Sequence, residues 1–540
     1  MNRREFLTTA GVLAGAASLR PLMAQARHSS TAPVVNHHHA PAAISFESSN
    51  HRYQATYRHA LKVLAANVIS LPQYPHPVLI EGSSYQGIWL ECAPHEGLVY
   101  SQIRRDVARN NHMAFFALQH GDGQIPCWAR TQAAGFAQIQ MVVPIAATAW
   151  ELSQQTGDSE LLEKAYPACG RWDGWLRRYR DTRHTGLCEG FCTWDTGHDN
   201  SPRWAGMPNS CPDHDARKCP PLASLPRLSP DLSATVYGGR IALAAMARAL
   251  GKNSEADRWL ADAETIRTAI LNKLYSQDDA AFYDLDAQNK FVRVRGDVIS
   301  RVLGEHVVDQ KLFETIYKKQ IHNPSAFWAP YPLPSIGMDD PAFVRPIPRN
   351  SWGGASQALT ALRAPRWMEH YGKSADLAHL MQQWTKAIAR AGNFLQQMDP
   401  LNGKFTPDKR DYSPAALVFL DFTWRLAGVR RDENGLEWNL RPQTDSSSSS
   451  YRLRLPGGQT AELKYSGKPG VAECLLNGKF LFRSENVVRL TTDRNGQLRG
   501  ATGIAPEKTH VTLHTLNGKR KFSIESNGRV EFRHKDRFPS

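Results

Sequence analysis

From about residue 52 to 429, apolar positions recur at steps of three and four, the spacing of one face of an α-helix. The pattern runs through "FAQIQMVVPIAATAWELSQQTG", "SELLEKAYPACGRWDGWLRRYRD", "SATVYGGRIALAAMARALGK", "SEADRWLADAETIRTAILNKLY" and "WGGASQALTALRAPRWMEHYG". Segments such as "GDSELLEKA" and "GKNSEADRWLADA" each supply a glycine stop followed by a serine near the next N-cap. Helix pairs repeated over several hundred residues predict an α-solenoid or a closed barrel of helical hairpins. No fixed repeat signature is visible, and some connections are long and rich in Trp, Asp, Pro and His. Long irregular connections in a compact domain usually carry function, which favours the barrel.

After Gly428 the period changes from helical to alternating. "YRLRLPGG", "QTAELKYSG", "GVAECLLNGKFLFRS" and "HVTLHTLNGKRKFSIESNGRVEFRH" are short strands separated by "NG", "GG" and "SG" turns, and they predict a β-sandwich over 431–540, with the serine run at 446–450 as a loop. At the other end, Arg3 and Arg4 precede a short Ala/Gly/Leu-rich run and small residues near Ala24 to Ala26. Residues 1–26 therefore read as a twin-arginine signal peptide, which places the mature protein in the periplasm or outside the cell. Residues 27–50, with "HHH" at 37–39, have the composition of a linker. No segment reaches about 18 consecutive apolar residues, so no stable membrane insertion is expected.

Composition changes this picture little. The chain of 540 residues is 41% apolar, as in ordinary globular proteins, and its formal charge of +14 is spread among Asp and Glu without a basic block. Nucleic acid is not an expected partner. Five of the eight cysteines, Cys169, Cys188, Cys192, Cys211 and Cys219, fall in one region, and an exported protein predicts a local disulfide or two there. Their spacing matches no paired zinc-ligand pattern, so no metal is expected.

The candidate chemistry lies in that same region, in "FCTWDTGHDNSPRW", Phe191 to Trp204. Glycoside hydrolysis uses two carboxyl groups flanking the scissile bond, on loops rimmed by aromatics that stack on sugars. Asp195 and Asp199 stand four apart, with Trp194, Trp204 and His198 beside them. A calcium loop would need the regular alternation and final Glu that are missing here. A plain turn at Asp199, Asn200, Ser201 and Pro202 leaves the aromatic flanks unexplained.

"WDTGHDNSPRW" resembles the "E-S-G-x-D-N-S-P-R-[WF]" loop of glycoside hydrolase family 63 and its mannosylglycerate-hydrolase-like relatives, and more distantly the "SGWD" loop of trehalases. Further segments resemble the family in the same order, from "FFALQHGDGQIPC" through "SPDLSATVYGGRIALAAMARALG" to "MDPLNGKFTPDKRDYSPAALVFLDF". The resemblance implies a mainly α fold, an (α/α)6 six-hairpin toroid over 51–430 followed by the β-sandwich. It also implies inverting hydrolysis of an α-linked, gluco- or manno-configured sugar, an oligosaccharide or glycoside substrate and no cofactor.

Carried over by position, Asp199 matches the general acid, Asp195 replaces a Glu, and Asn200 and Arg203 match the adjoining loop. Glu91, with Trp89 beside it, aligns with an Asp that touches the sugar. Trp194, His198, Trp328 and Trp352 are further candidates for contact with substrate, each with a structural reading beside it. The departure is at the base: where the family has "E-x-Y-[DN]-P", this chain has "QQMDP", so Gln396 holds the position of the Glu. An amide cannot accept a proton from water as a carboxylate does. Asp411, Asp399, Asp408, Glu91 and Glu96 are candidates to replace it, with Asp411 favoured because it precedes a helix start. Two other functions remain open: a carbohydrate-binding protein that has lost its base, and a polysaccharide lyase or epimerase on the same barrel.

Overall fold

The computed structural model describes residues 43–407, 410–432, 435–442, 447–467 and 470–532, so the expected signal peptide, most of the expected linker and Asp408 lie outside the described residues. Twelve α-helices fill the region before the C-terminal sheets: α1 (His51–Ala66), α2 (Ala93–Tyr100), α3 (Arg105–Ala117), α4 (Ile145–Thr156), α5 (Ser159–Tyr179), α6 (Pro230–Ala249), α7 (Asn253–Lys273), α8 (Val298–Gly304), α9 (Gln310–Ile316), α10 (Ala358–Met368), α11 (Ser374–Ala391) and α12 (Ser413–Ala427).

The residue pattern decides which helices lie inside. α6 is rich in Ala, Leu and Gly and is buried over most of its surface, whereas its partner α7 buries only the stripe Ala256, Ala263, Ile266 and Ile270. α12 is buried almost all round, and α11 shows it one face built from Leu377, Leu380, Met381, Trp384 and Ile388. A helix apolar on all sides belongs in the interior, and a striped one covers it. The glycine stops form as expected: Gly157 ends α4 in the left-handed region at φ 71°, and Asp158, one residue ahead of the expected serine, caps α5 by accepting from Leu161 N.

The first and last helices meet. Tyr53 and Thr423 share a hydroxyl hydrogen bond of 2.7 Å, Trp424 Nε1 donates to Tyr57 Oη at 3.1 Å, and Asn67 Nδ2 donates to Ser413 Oγ at 2.9 Å. A two-stranded pairing of Ser356–Gln357 with Gln397–Met398 sets the start of α10 beside the segment that carries Gln396.

The C-terminal region contains two antiparallel sheets, one of seven strands and one of five. Their side chains meet where Trp438 stands edge-on to Phe482 at 5.7 Å and Tyr465 Oη donates to Asn439 O at 2.7 Å. The edge strand of the larger sheet corrects the expected linker: Ile44–Ser48 pairs with Ser449–Arg454, Phe46 opposite Tyr451, and the serine run enters the sheet at Ser449. Phe46 is buried and packs on Tyr57 at 5.1 Å and Tyr53 at 6.1 Å, which joins the sheet to α1. Phe46→Ala therefore removes a contact shared by both regions, and urea denaturation should show a loss of about 3–5 kcal/mol, the usual cost of truncating a core Phe; an unchanged midpoint contradicts this placement.

Candidate active site

The loop Phe191–Trp204 is built from two short 3₁₀ turns, Thr193–Asp195 and Pro202–Trp204, with Asp199 between them. Its first turn is fixed by Asp195, which is fully buried and accepts from Arg180 Nη1 at 2.5 Å and Nη2 at 3.0 Å. The same carboxylate accepts from the backbone N–H groups of Phe191, Cys192 and Ile139. Its acceptor capacity is thereby used within the protein.

The second turn is fixed by Arg203. Its guanidinium donates to both oxygens of Asp231, at 2.9 and 2.7 Å, and to both of Asp284, at 2.6 Å each. Arg203 is thereby engaged by two buried carboxylates and holds the loop to them. Its Nη1 also lies 3.2 Å from His198 Nδ1. Because a guanidinium only donates, Nδ1 must accept, and the proton on Nε2 goes to Asp297 Oδ1 at 2.7 Å. Burial, reinforced by the charge of Arg301, lowers His198 to about 4, so the ring is neutral at neutral pH. Burial alone would raise Asp297, but Arg301 and His198 hold it below the ordinary carboxylate range. Arg301 completes the cluster, reaching Thr196 O at 2.6 Å, Asp231 at 3.3 Å and Asp297 at 3.3 Å. His198 thus belongs to the loop's support, with neither solvent nor Asp199 as its partner.

Between these supports the chain presents Asp199, almost fully buried. Its Oδ2 accepts from Asn350 Nδ2 at 2.9 Å, Asn350 Oδ1 accepts from Gln396 Nε2 at 2.9 Å, and Gln396 Oε1 accepts from Tyr85 Oη at 3.2 Å. Asn200 steadies this bridge by donating to Asn350 O at 2.8 Å, and Trp352 N donates to Asp199 O at 3.0 Å. Asn200 and Asn350 both adopt positive φ, 55° and 44°, a conformation Asn tolerates better than most residues. One amide separates Asp199 from Gln396, so the two side chains stand no further apart than the acid and base of an inverting glycosidase, about 6.5–9.5 Å.

The contacts continue round the site. The Tyr85 ring meets Trp89 at 6.0 Å and Tyr412 at 6.2 Å, and Tyr412 Oη donates to Glu81 Oε1 at 3.0 Å. Carboxylate oxygens of Glu81 and Glu91 lie within 4.8 Å of each other, with Cys92 Sγ equally near. Glu91 closes the circuit against Gly197, where a Cβ would stand 1.5 Å from Glu91 Oε2; Gly197 O in turn accepts from Asp199 N at 3.1 Å. The φ of 65° at Gly197 and this close approach together require glycine there.

Other expected residues fall elsewhere. The Asp411 carboxylate is 44% exposed and faces His59 Nε2 at 3.9 Å, and its backbone φ of 66° marks the turn before α12. Its carboxylate is thus paired with His59, while the Asp199–Asn350–Gln396 bridge is made by other side chains. Asp399 pairs with Arg345 and caps the turn before Leu401. Trp328 packs against His322 and His379, outside the circuit. Trp194 and Trp352 are buried, Trp352 between His198 and Arg301. The expected disulfides are also corrected: all eight cysteines are free, with Cys192 and Cys211 sulfurs 3.8 Å apart. Asp195 lies beside both thiols, and the Arg180 guanidinium occupies that cluster, so its charge is already met.

Sequence reasoning missed Glu81, Tyr85, Asn350 and Tyr412 at the site, and Arg180, Asp231, Asp284 and Asp297 behind it. A usable signal for Glu81 was a lone acid at the end of the apolar run "PVLIEG". For Asn350 it was an Asn in "PRNSWGG", where a strained turn precedes a helix start.

The family described as the mannosylglycerate hydrolase MGH1-like glycoside hydrolase domain matches residues 85–424. Among solved structures, a family GH63 mannosylglycerate hydrolase from Thermus thermophilus, in complex with glucose, is similar at 19% identity and TM-score 0.56, over 68% of this chain and 99% of that one. A neutral trehalase from Saccharomyces cerevisiae is similar at 13% identity and TM-score 0.51, over 68% and 80%. An α-L-rhamnosidase from Dictyoglumus thermophilum is similar at 12% identity and TM-score 0.52, over 91% and 50%. No curated protein matches the chain.

The ion pairs that hold the loop give a direct test. Asp195→Asn keeps the side-chain size but leaves the Arg180 charge buried without its partner, and equilibrium unfolding should show a loss of about 3–5 kcal/mol. A change within about 0.5 kcal/mol, the range of ordinary surface substitutions, contradicts the clamp.

Proposed function

Because the chain belongs to the mannosylglycerate hydrolase MGH1-like glycoside hydrolase family, we propose that it is an exported, inverting glycosidase acting on an α-linked gluco- or manno-configured sugar, with Asp199 as general acid. The observation that carries this reading is the Asp199–Asn350–Gln396 bridge, which sets the acid across from the position where the resemblance implies a base. In the reaction, Asp199 protonates the leaving oxygen while water attacks the anomeric carbon from the opposite face, which inverts its configuration. Trp89 and Tyr85 form an aromatic pair beside Gln396, of the kind that stacks on the apolar face of a sugar ring. The glucose in the Thermus complex supports a gluco-configured substrate. Contacts between α1 and α12 support closure of the twelve helices into a six-hairpin toroid, with the two C-terminal sheets as a β-sandwich. Arg3 and Arg4 ahead of the Ala/Gly-rich run support export.

Gln396 favours a second reading, a protein that binds α-linked sugars without cleaving them.

The two separate on purified protein incubated with aryl α-glucosides, aryl α-mannosides and α-linked disaccharides. The glycosidase reading predicts release of sugar whose first-formed anomer, by proton NMR, is β, and a fall in kcat of about 10²–10⁴-fold for Asp199→Asn. Saturable binding without product supports the second reading instead, and full activity in Asp199→Asn removes the acid assignment.

A further inference from the structure

We propose that Glu81 is the general base, supplying from the strap before α2 the carboxylate that Gln396 lacks. The inference rests on the glycosidase reading above.

The backbone of Glu81 is fixed on both sides. The strap from 81 to 87 folds tightly on itself, with Glu81 N donating to Gly87 O at 3.0 Å and Tyr85 N to Gly82 O at 2.9 Å. It is also pinned to the start of α12: Ser413 N donates to Glu81 O at 2.8 Å, and a Cβ at Gly82 would stand 2.9 Å from Asp411 O. The two residues that follow from this placement connect Glu81 to the vacated base position. Tyr85, on the same strap, donates to Gln396, and Tyr412, packed on Tyr85, donates to Glu81.

Two groups that face Glu81, Tyr412 and Glu96, stay protonated at neutral pH. Burial and the charge of Glu81 hold the Tyr412 hydroxyl well above its ordinary value, so Tyr412 stays a donor to the carboxylate. Burial, and then the charge of Glu81, also push Glu96 up to about 8, which leaves Glu96 protonated at neutral pH.

Glu81 and Glu91 have carboxylate oxygens within 4.8 Å of each other, and their other contacts tell them apart. Glu91 lies against Gly197, on the acid's own loop. Glu81 lies on the Tyr412–Tyr85–Gln396 side, and Asp411 faces outward to His59. In the step itself, the water oxygen bonds to the anomeric carbon as the glycosidic C–O bond breaks. One water proton passes to Glu81 and the proton of Asp199 passes to the leaving oxygen. Exchange with solvent then returns a proton to Asp199 and removes one from Glu81, so the net reaction consumes one water.

The test uses α-D-glucosyl and α-D-mannosyl fluoride, whose leaving group needs little acid assistance, with wild type, Glu81→Gln, Glu81→Asp and Glu91→Gln. Glu81→Gln should lose about 10²–10⁴-fold in kcat and regain turnover with sodium azide as a β-glycosyl azide. Glu81→Asp should keep part of the activity, and Glu91→Gln should raise KM without forming the azide product. Recovery by azide also shows that the Gln variant is folded; if that variant does not fold, wild-type kcat in Glu81→Asp overturns the proposal. Glu81→Gln within threefold of wild type, or azide product from Glu91→Gln alone, overturns the assignment to Glu81 and leaves the glycosidase reading standing. Wild-type protein inert toward both fluorides overturns the glycosidase reading and the base with it.

Discussion

The site depends on buried guanidinium groups whose charge is met by carboxylates far away in sequence. Arg203 holds Asp231 and Asp284, and Arg180 holds Asp195, all with almost no exposure. A charge buried this way is tolerated only when it is paired and its hydrogen bonds are satisfied, and the planar fork of arginine meets a carboxylate at two points where lysine meets it at one. The two clamps fix the ends of the loop from Phe191 to Trp204, and the residues between them have little freedom left. Asp199 is therefore presented to Asn350 by a loop with no regular secondary structure of its own beyond two short turns. A side chain held this way is preorganised and has little freedom left to lose.

The neutral His198 ring belongs to the same construction. Arg203 takes the acceptor nitrogen and Asp297 the donor, so the ring joins two anchored charges without carrying one itself. Trp352 closes over both His198 and Arg301 and donates its backbone N–H to Asp199 O, which ties the cluster to Asp199 directly. The polar residues of the loop thus divide into those facing inward, which hold it, and Asp199 and Asn200, which face the bridge.

The helices were legible in the sequence because burial leaves a period: α7 and α11 carry a stripe, while α6 and α12 are buried over most of their surface. The loop was legible as a cluster of acids and aromatics. Its internal division was not, since Asp195, His198 and Arg203 look alike in sequence until their partners, 15, 99, 28 and 81 positions away, are in place. The strand Ile44–Ser48 was hidden for the same reason: its composition is that of a linker, and its partner Leu453 lies at the other end of the chain. Glu81 was read past because no local motif marks it, and its neighbours at the site come from residue 85 and from residues 396 and 412.

One clamped loop presents Asp199 to the Asn350–Gln396 bridge, and the proposed reaction pairs it with the Glu81 carboxylate. The most direct measurement is a crystal structure with 1-deoxynojirimycin or 1-deoxymannojirimycin bound. The account predicts the iminosugar ring beside Trp89 and Tyr85, with the carboxyl groups of Asp199 and Glu81 on opposite faces at about 6.5–9.5 Å. A ring bound outside that circuit, or carboxyl groups too far apart to share one sugar and one water, contradicts it.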